Sequence, residues 1–365
     1  MTSRKPVPET ETGLLTEKSL ALVTGSLGLV GTAAVRKFTE LGFEVIGVDN
    51  DQRSKLFGAA ASNAEKRPML EATCPGYVHY ELDIRDENAI DALFGRFGNA
   101  LGVVVHTAAQ PSHDWAATDP KTDFGINATA TLNLLEACRA HAPNASFLFT
   151  STNKVYGARP NLLPLIAHNT RLEPPTDHPF FKHGIDETMS IDQTQHSLFG
   201  VSKVAADLMV QEYADRFDLQ TAVFRAGCLT GEDHSGAKAH GFLSYLCKSV
   251  VAGDSYEIIG NGGKQVRDNL HADDLAEAFA RVVQGGVPKG VYNMGGGRNS
   301  SVSVTEALDL AQEILGREVP RHHNPQSRYG DHMWWISDTR AFQSDYPGWA
   351  PRFSARELIA RMLQQ

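Results

Sequence analysis

The stretch Leu20-Ala-Leu-Val-Thr-Gly-Ser-Leu-Gly-Leu-Val-Gly31, followed by a helical pattern and then by Glu44-Val-Ile-Gly-Val-Asp49, decides the fold. Each apolar run predicts a buried strand, and the glycines predict a tight turn that opens a helix. Such a turn lets backbone N–H groups approach a pyrophosphate at the start of the helix. The stretch therefore predicts a dinucleotide-binding unit.

Asp49 lies at the tip of the second predicted strand, eighteen residues beyond Gly31. A carboxylate there can bind the hydroxyls of a ribose and would repel a 2′-phosphate, so the sequence favours NAD over NADP. A glycine-rich turn that binds nothing is the alternative. The order of strand, turn, helix, strand and acid favours the cofactor site.

Composition excludes several classes of function. The chain has 365 residues and a formal net charge of −9, and its basic runs are no longer than two residues, so nothing indicates a nucleic-acid partner. The four scattered cysteines and the histidines lack metal-ligand spacing, which predicts no metal site. No apolar stretch is long enough to span a membrane, and residues 1–18 are polar. We therefore expect a disordered tail over 1–18 and a cytoplasmic protein.

Strand and helix patterns alternate along the first part of the chain, which predicts an α/β fold with a Rossmann-type doubly wound parallel sheet. The predicted strands are 20–24, 44–48, 77–82, 101–106, 146–151 and 221–225, and the predicted helices are 29–41, 86–97, 127–141 and 202–217. We expect residues 19–227 to form mainly an NAD-binding domain with an insertion over 158–196. Residues 228–365 would form mainly a smaller, interleaved substrate-binding lobe, with 264–300 returning to the first domain.

A second set of motifs shows a family resemblance. It comprises Val105-His-Thr-Ala-Ala109, Phe149-Thr-Ser-Thr-Asn-Lys-Val-Tyr-Gly157, Phe199-Gly-Val-Ser-Lys203 and Gly263-Lys-Gln-Val-Arg-Asp-Asn-Leu-His271. Together they resemble the extended short-chain dehydrogenases/reductases, which include the NAD-dependent epimerases and dehydratases of nucleotide sugars. The second and fourth motifs are most similar to the branch of the CDP-paratose 2-epimerases. The resemblance implies a nucleotide-sugar substrate, NAD that is used in a cycle through a keto intermediate, and a homodimer formed through helices 127–141 and 202–217.

The resemblance also assigns roles by position. Cofactor binding falls to Gly25, Ser26, Leu27, Gly28, Leu29, Val30, Gly31, Asp49, Asn50, Asp83, Ile84, Thr107, Ala108, Ala109, Asn127, Ser151 and Lys203. Substrate binding falls to Gln110, Ser112, Asn153, Phe199, Cys228, Arg267 and Arg328. Thr152 would hydrogen-bond the reacting oxygen, and the charge of Lys203 would lower a neighbouring pKa. For Asn127, a structural hydrogen-bonding role is favoured over a catalytic one.

The sequence departs from the family at the catalytic tyrosine of its Tyr-x-x-x-Lys motif, where this chain has Phe199. A phenyl ring cannot accept the proton of a sugar hydroxyl. Three explanations stay open: another base serves, Thr152 and Lys203 act slowly with water, or the redox chemistry is lost. His113 is the first candidate base because it follows the strand that leads to the nicotinamide pocket. His196 and Cys228 are weaker candidates.

A second departure concerns the reaction. Sugar 4,6-dehydratases carry an Asp-Glu pair directly after the catalytic threonine, whereas this chain has Asn153 and Lys154. Neither residue supplies a carboxylate for the elimination of water, which disfavours dehydration. Epimerisation is the leading prediction. A net oxidoreductase and a redox-inactive binding protein for nucleotide sugars are the alternatives.

Overall fold

The computed structural model describes residues 20–234, 241–286, 290–326 and 329–364. The strands are β1 Leu20–Thr24, β2 Glu44–Val48, β3 Tyr77–Tyr80, β4 Leu101–His106, β5 Ser146–Thr152, β6 Ile166–Ala167, β7 Leu172–Glu173, β8 Thr221–Ala226, β9 Cys228–Thr230, β10 Tyr256–Ile259, β11 Val266–His271, β12 Gly290–Met294, β13 Ser301–Ser303, β14 Arg321–Asn324 and β15 Trp334–Trp335. The helices are α1 Leu29–Glu40, α2 Gln52–Phe57, α3 Lys66–Thr73, α4 Glu87–Phe97, α5 His113–Thr118, α6 Pro120–Phe124, α7 Ala130–His141, α8 Pro179–His183, α9 Leu198–Phe217, α10 Phe242–Ala252, α11 Ala272–Gly285, α12 Val304–Leu315, α13 Arg340–Asp345 and α14 Ala355–Met362.

The main sheet has seven parallel strands in the order β12-β8-β5-β4-β1-β2-β3. The chain starts in the middle of the sheet at β1, moves outward to β3, and then crosses back to β4 and continues the other way. This reversal places a crevice at the carboxyl ends of β1 and β4, where ligands bind in doubly wound folds. The predicted Rossmann-type sheet is confirmed.

Alternate residues of the central strands face two separate hydrophobic cores. Val103 and Val105 of β4 belong to the core on the side of α1 and α11, whereas Val104 faces the other core. All three side chains are fully buried. Because burial of one such side chain contributes about 1.5–3 kcal/mol, the two cores together hold the sheet between its helical layers.

A smaller lobe covers the carboxyl edge of the main sheet. Its core packs α10, α12 and α14 together with the strand pair β10–β14. A second small sheet joins β9, β11, β13 and β15. The chain returns to the main sheet with α11, which packs on α1, and with β12, which pairs with β8. The two lobes are therefore interleaved along the sequence.

The structure also adds detail where sequence patterns are weak. The short helices α2 and α3 and the seventh strand of the main sheet, β12, have no clear counterpart among the predicted elements. The helix predicted over 202–217 begins earlier, at Leu198, because Ser197 caps its first turn. The predicted disordered tail over 1–18 lies outside the described residues. No helix in the described part of the chain is long and apolar enough to cross a membrane.

Candidate functional site

A cavity of about 460 Å³ lies between the carboxyl edge of the main sheet and the smaller lobe. Its lining brings together most of the residues that the resemblance assigned to the cofactor, to the substrate and to catalysis. They are Gly25, Gly28, Leu29, Val30, Asp49, Asn50, Asp83, Ile84, Thr107, Ala108, Ala109, His113, Ser151, Thr152, Asn153, Phe199, Lys203, Cys228 and Arg267. One cavity therefore joins the glycine turn to the motifs of the smaller lobe.

The turn between β1 and α1 requires glycine at two positions. A Cβ on Gly31 would lie 2.0 Å from the carbonyl oxygen of Gly25. Gly25 has a φ of +67°, and a Cβ there would lie 2.8 Å from the backbone of Ala108. The N-cap residue of α1, Gly28, has no side-chain cap, so the first-turn N–H groups stay available for an anion. The turn thus has the shape and polarity that a pyrophosphate needs.

Asp49 is fixed beside the glycine turn, in the lining of this cavity. One carboxylate oxygen accepts a hydrogen bond from the N–H of Leu27 at 3.1 Å, and the other accepts one from the N–H of Asp51 at 2.8 Å. Burial raises the pKa of Asp49, and the two N–H donors oppose that effect. Asp83 and Ile84 line the same cavity. The arrangement suits an adenosine moiety whose ribose meets a carboxylate.

Lys203 and Thr152 both line this cavity. The Lys203 ammonium donates a hydrogen bond to the carbonyl of Thr150 at 2.9 Å and lies 4.2 Å from the ring centre of Phe149. Burial lowers the pKa of Lys203 to about 7. The hydroxyl of Thr152, at the end of β5, accepts a hydrogen bond from the N–H of Lys154 at 3.2 Å. The lining of the cavity thus combines the hydroxyl of Thr152 with an amine whose pKa is about 7.

His113 contacts the side chain that replaces the family's tyrosine. The rings of His113 and Phe199 are 5.0 Å apart at an angle of 71°, and Phe199 is buried. The Nδ1 atom of His113 lies 2.6 Å from the hydroxyl oxygen of Ser197. His113 thus brings an imidazole into contact with the phenyl ring of Phe199 in the lining of the cavity.

The other two candidate bases are less suited to proton transfer. His196 lines only a smaller adjoining cavity, and its Nε2 atom lies 2.8 Å from the carbonyl oxygen of Val155. Cys228 lines the larger cavity, but burial raises the pKa of its thiol to about 11. Both observations favour His113.

Three assigned residues are directed away from the cavity into a buried hydrogen-bond network. The amide of Asn127 exchanges hydrogen bonds with the backbone of Gln110 at 2.9 and 3.0 Å. The side chain of Gln110 binds Asp123 at 2.7 Å, and Ser112 caps the first turn of α5. Gln110, Ser112 and Asn127 therefore hold the loop that carries His113, and the structure does not place them against a ligand in this cavity.

Three residues of the glycine-turn motif also lie off the cavity lining. The Ser26 hydroxyl accepts a hydrogen bond from Tyr77 at 3.2 Å, the N–H of Leu27 is bound by Asp49, and Gly31 packs under Gly25. These three residues hold the conformation of the turn on the side that does not line the cavity. Arg328, which the resemblance assigned to the substrate, lies outside the described residues.

Charged residues from both lobes line the same cavity. Arg267 of β11 pairs with Asp331 at 2.8 Å, and the Lys154 ammonium donates to the carbonyl of Gly330 at 3.0 Å. Burial lowers the pKa of Lys154 to about 8. Although burial opposes it, the charges of Arg267 and Lys154 hold the pKa of Asp331 well below its usual range. Two cations against one carboxylate leave a net positive charge, which suits an anionic group.

Sequence reasoning gave no site role to Lys154 or Asp331. Lys154 lies within the motif Phe149–Gly157, and Asp331 lies three residues after Arg328, which the resemblance assigned to the substrate. Their positions in the sequence were therefore a signal for a role in the site. What the sequence could not show is that β5 and the segment before β15 bring them together.

A family model described as the NAD dependent epimerase/dehydratase family matches residues 21–295. The chain belongs to this family. The family's cofactor is NAD, and the glycine turn and Asp49 fit it. Membership confirms the prediction of an NAD-dependent enzyme of the extended short-chain dehydrogenase/reductase type.

Relatives of this NAD-dependent family cover almost the whole chain. A CDP-paratose 2-epimerase from Salmonella typhi is 30% identical over an alignment of 352 residues that covers 93% of this chain and 97% of the relative. A dTDP-glucose 4,6-dehydratase from Escherichia coli is 29% identical over 91% of this chain and 89% of its own. The crystal structure of a UDP-glucose 4-epimerase from Thermus thermophilus in complex with NAD has a TM-score of 0.75, with 25% identity and coverage of 94% of this chain and 98% of its own.

Proposed function

We propose that this protein epimerises a nucleotide-diphosphate sugar through a transient keto intermediate, with His113 in place of the family's tyrosine. The observation that carries the proposal is the contact between His113 and Phe199 in the cavity that Thr152 and Lys203 also line. NAD, which the glycine turn and Asp49 would hold, would supply the acceptor for a hydride from a sugar carbon and the donor for its return. The rest of the chemistry falls to side chains of this chain.

Each end of the cavity has a separate task. The glycine turn binds the pyrophosphate of the cofactor through backbone N–H groups, and Asp49 binds the adenosine ribose. Lys203 binds the hydroxyls of the nicotinamide ribose. Arg267 binds the diphosphate of the substrate, because its guanidinium group offers paired N–H donors to phosphate oxygens.

Proton transfer takes place in the part of the cavity that Thr152, Lys203 and His113 line. Thr152 donates a hydrogen bond to the reacting oxygen, and His113 accepts the hydroxyl proton as the carbon is oxidised. The proton returns from His113 when the ketone is reduced on its other face. The protonated form of Lys203 stabilises negative charge on the oxygen while the proton moves.

The side chains after Thr152 support epimerisation over elimination of water. Asn153 and Lys154 stand where a dehydratase of the family needs two carboxyl groups.

The reaction can be tested directly on the purified protein. Small molecules released by denaturation are identified by mass spectrometry, and the native protein is incubated with UDP-, CDP- and GDP-hexoses. We expect bound NAD, inversion of one sugar carbon in the proton NMR spectrum and no net accumulation of NADH. Accumulation of NADH in step with substrate would identify a net oxidoreductase. Binding of nucleotide sugar without any exchange of substrate hydrogens would identify a binding protein.

Asp49 gives a prediction on cofactor choice. Asp49→Asn removes the negative charge but keeps an oxygen that can accept one of the two backbone hydrogen bonds. We expect the preference for NAD over NADP, measured as a ratio of dissociation constants, to fall by about 10-fold, or about 1.4 kcal/mol. Asp83→Asn, at another carboxylate of the same end, is the control and leaves the ratio unchanged. An unchanged ratio in Asp49→Asn would show that Asp49 does not face the 2′ position.

We also propose that the protein forms a homodimer through α7 and α9. Large apolar side chains are exposed on both helices, including Leu132, Val201 and Leu208 at 37–45%. Leu208→Glu should convert the dimer to a monomer, because a charge in an apolar interface loses its hydration. Light scattering coupled to size-exclusion chromatography measures the mass. Val251→Glu, which alters an exposed residue of α10, should leave the dimer intact; a monomeric wild type would refute the proposal.

A further inference from the structure

Ser197 connects the candidate base to the helix that carries Lys203. It is the N-cap residue of α9, and its hydroxyl oxygen accepts a hydrogen bond from the N–H of Gly200 at 3.1 Å. The same oxygen lies 2.6 Å from Nδ1 of His113, which belongs to another element of the fold. Ser197 is buried, so water does not compete freely for either contact.

The ring of His113 is confined on two further sides. Phe199 packs against it edge to face, at 5.0 Å between ring centres. Gly330 contacts it from the smaller lobe, because a Cβ on Gly330 would lie only 2.8 Å from Nδ1. These contacts restrict rotation of the ring, so that Nδ1 stays near Ser197 and the opposite edge of the ring, which carries Nε2, faces away from it.

The position of one hydrogen decides whether such a histidine can act as a base. A neutral imidazole carries its hydrogen on either Nδ1 or Nε2, and only the nitrogen without hydrogen accepts a proton. A serine oxygen has two acceptor positions, and the N–H of Gly200 uses one of them. The second can accept a hydrogen bond from Nδ1–H.

We propose that Ser197 is a positioning residue that keeps the hydrogen of His113 on Nδ1 and so leaves Nε2 as the proton acceptor for the substrate hydroxyl. This inference rests on the proposed function. In the step, the substrate O–H bond breaks and an N–H bond forms at Nε2. The electron pair of the O–H bond stays on the oxygen and forms the carbonyl as the hydride leaves for NAD. The imidazolium that results still donates its Nδ1–H to Ser197.

Several titratable groups line the two cavities that His113 also lines, and their charges act on its pH dependence. They are Asp114 on its own helix, Lys154 after β5, Tyr329 and Asp331 before β15, and His196 and Lys203 from the segment that forms and precedes α9. The test therefore compares substitutions at Ser197 alone, so that all of these groups stay constant.

Three variants of Ser197 separate its two contacts. Ser197→Asp keeps a good helix cap but places a negative charge behind Nδ1, which favours the imidazolium. The acid limb of the pH profile of kcat should then move to higher pH. The added charge raises the pKa of His113, so the neutral form that acts as the base is present only at higher pH. Ser197→Ala should lower kcat by about 10–100-fold, which is less than the 10²–10⁴-fold contribution of a general base, because the base itself is still present. Ser197→Thr keeps the hydroxyl and should retain most of the activity.

The control for the loss of a helix cap is Ser354→Ala, which removes the cap of α14 in the smaller lobe. Ser354→Ala should lower the melting temperature about as much as Ser197→Ala does, without changing the pH profile of kcat. A shift of the profile in Ser354→Ala, or an unshifted profile in Ser197→Asp, would reduce Ser197 to a helix cap and overturn the inference.

A second readout does not require activity. The ring nitrogens of His113 are observed by ¹⁵N NMR in the full chain with NAD bound, and assigned with His113→Gln. We expect hydrogen on Nδ1 in the wild type and a mixture of the two forms in Ser197→Ala. Hydrogen on Nε2 in the wild type would overturn the inference whatever the reaction is. Hydrogen on Nδ1 without any turnover of nucleotide sugars would leave the role of Ser197 in place and refute the proposed function.

Discussion

His113→Gln is expected to lower kcat by about 10²–10⁴-fold, the contribution of a well-placed general base. Glutamine has a similar reach and can still bond to Ser197, but its amide does not take up a proton at neutral pH. Affinity for NAD should not change, because the cofactor is held by the glycine turn and by Asp49. Steady-state kinetics and a binding isotherm for NAD measure the two effects separately.

The matched control is His322→Gln, at a histidine on β14 whose side chain is exposed and lies outside the cavity lining. It should have normal kcat. Near-normal turnover in His113→Gln would eliminate His113 as the base. It would favour the alternative in which Thr152 and Lys203 act with water.

Asp207→Asn is expected to destabilise the fold by about 3–5 kcal/mol, because it leaves a buried guanidinium group without its counter-charge. Asp207 is 1% exposed and binds Arg225 through two contacts of 2.8 and 3.1 Å. Ser151 donates to the same carboxylate at 2.5 Å, and Tyr156 lies 3.1 Å from Arg225. The free energy of unfolding in urea measures the loss.

A surface pair provides the comparison. Glu71→Gln breaks an exposed pair with Arg67 within one helix, and such pairs contribute little to stability. If Asp207→Asn were no more destabilising than Glu71→Gln, the buried network would have reorganised around a neutral partner.

The sequence predicted those parts of the structure that depend on local pattern. Six of the seven main strands and the placement of Asp49 at the end of β2 follow from apolar runs and glycine spacing. The strand β12 was missed because Gly290-Val-Tyr-Asn-Met294 is short and has a polar residue at a buried position. Its burial depends on the tertiary contact with β8, which no local pattern encodes.

The candidate site was predictable where the backbone geometry of a motif allows only one type of residue at a position. Gly31 is such a case, because any side chain there would meet the backbone of Gly25. Gln110 is the opposite case, because the resemblance assigned it to substrate binding from its position after β4, and position alone does not show which way a side chain points. The structure shows that it faces Asp123. The contact of His113 with Phe199 joins two segments that are far apart in sequence, so their proximity could not be read from spacing.

The N-cap contact between α9 and His113 changes what sets the spacing of the reacting groups. In the family motif, tyrosine and lysine are four residues apart on one helix, so the pitch of that helix fixes their separation. In this chain Lys203 stays on α9, but the proposed proton acceptor comes from the segment after β4. The separation of the two groups is therefore set by how two segments of the chain pack against each other, and not by the pitch of a single helix.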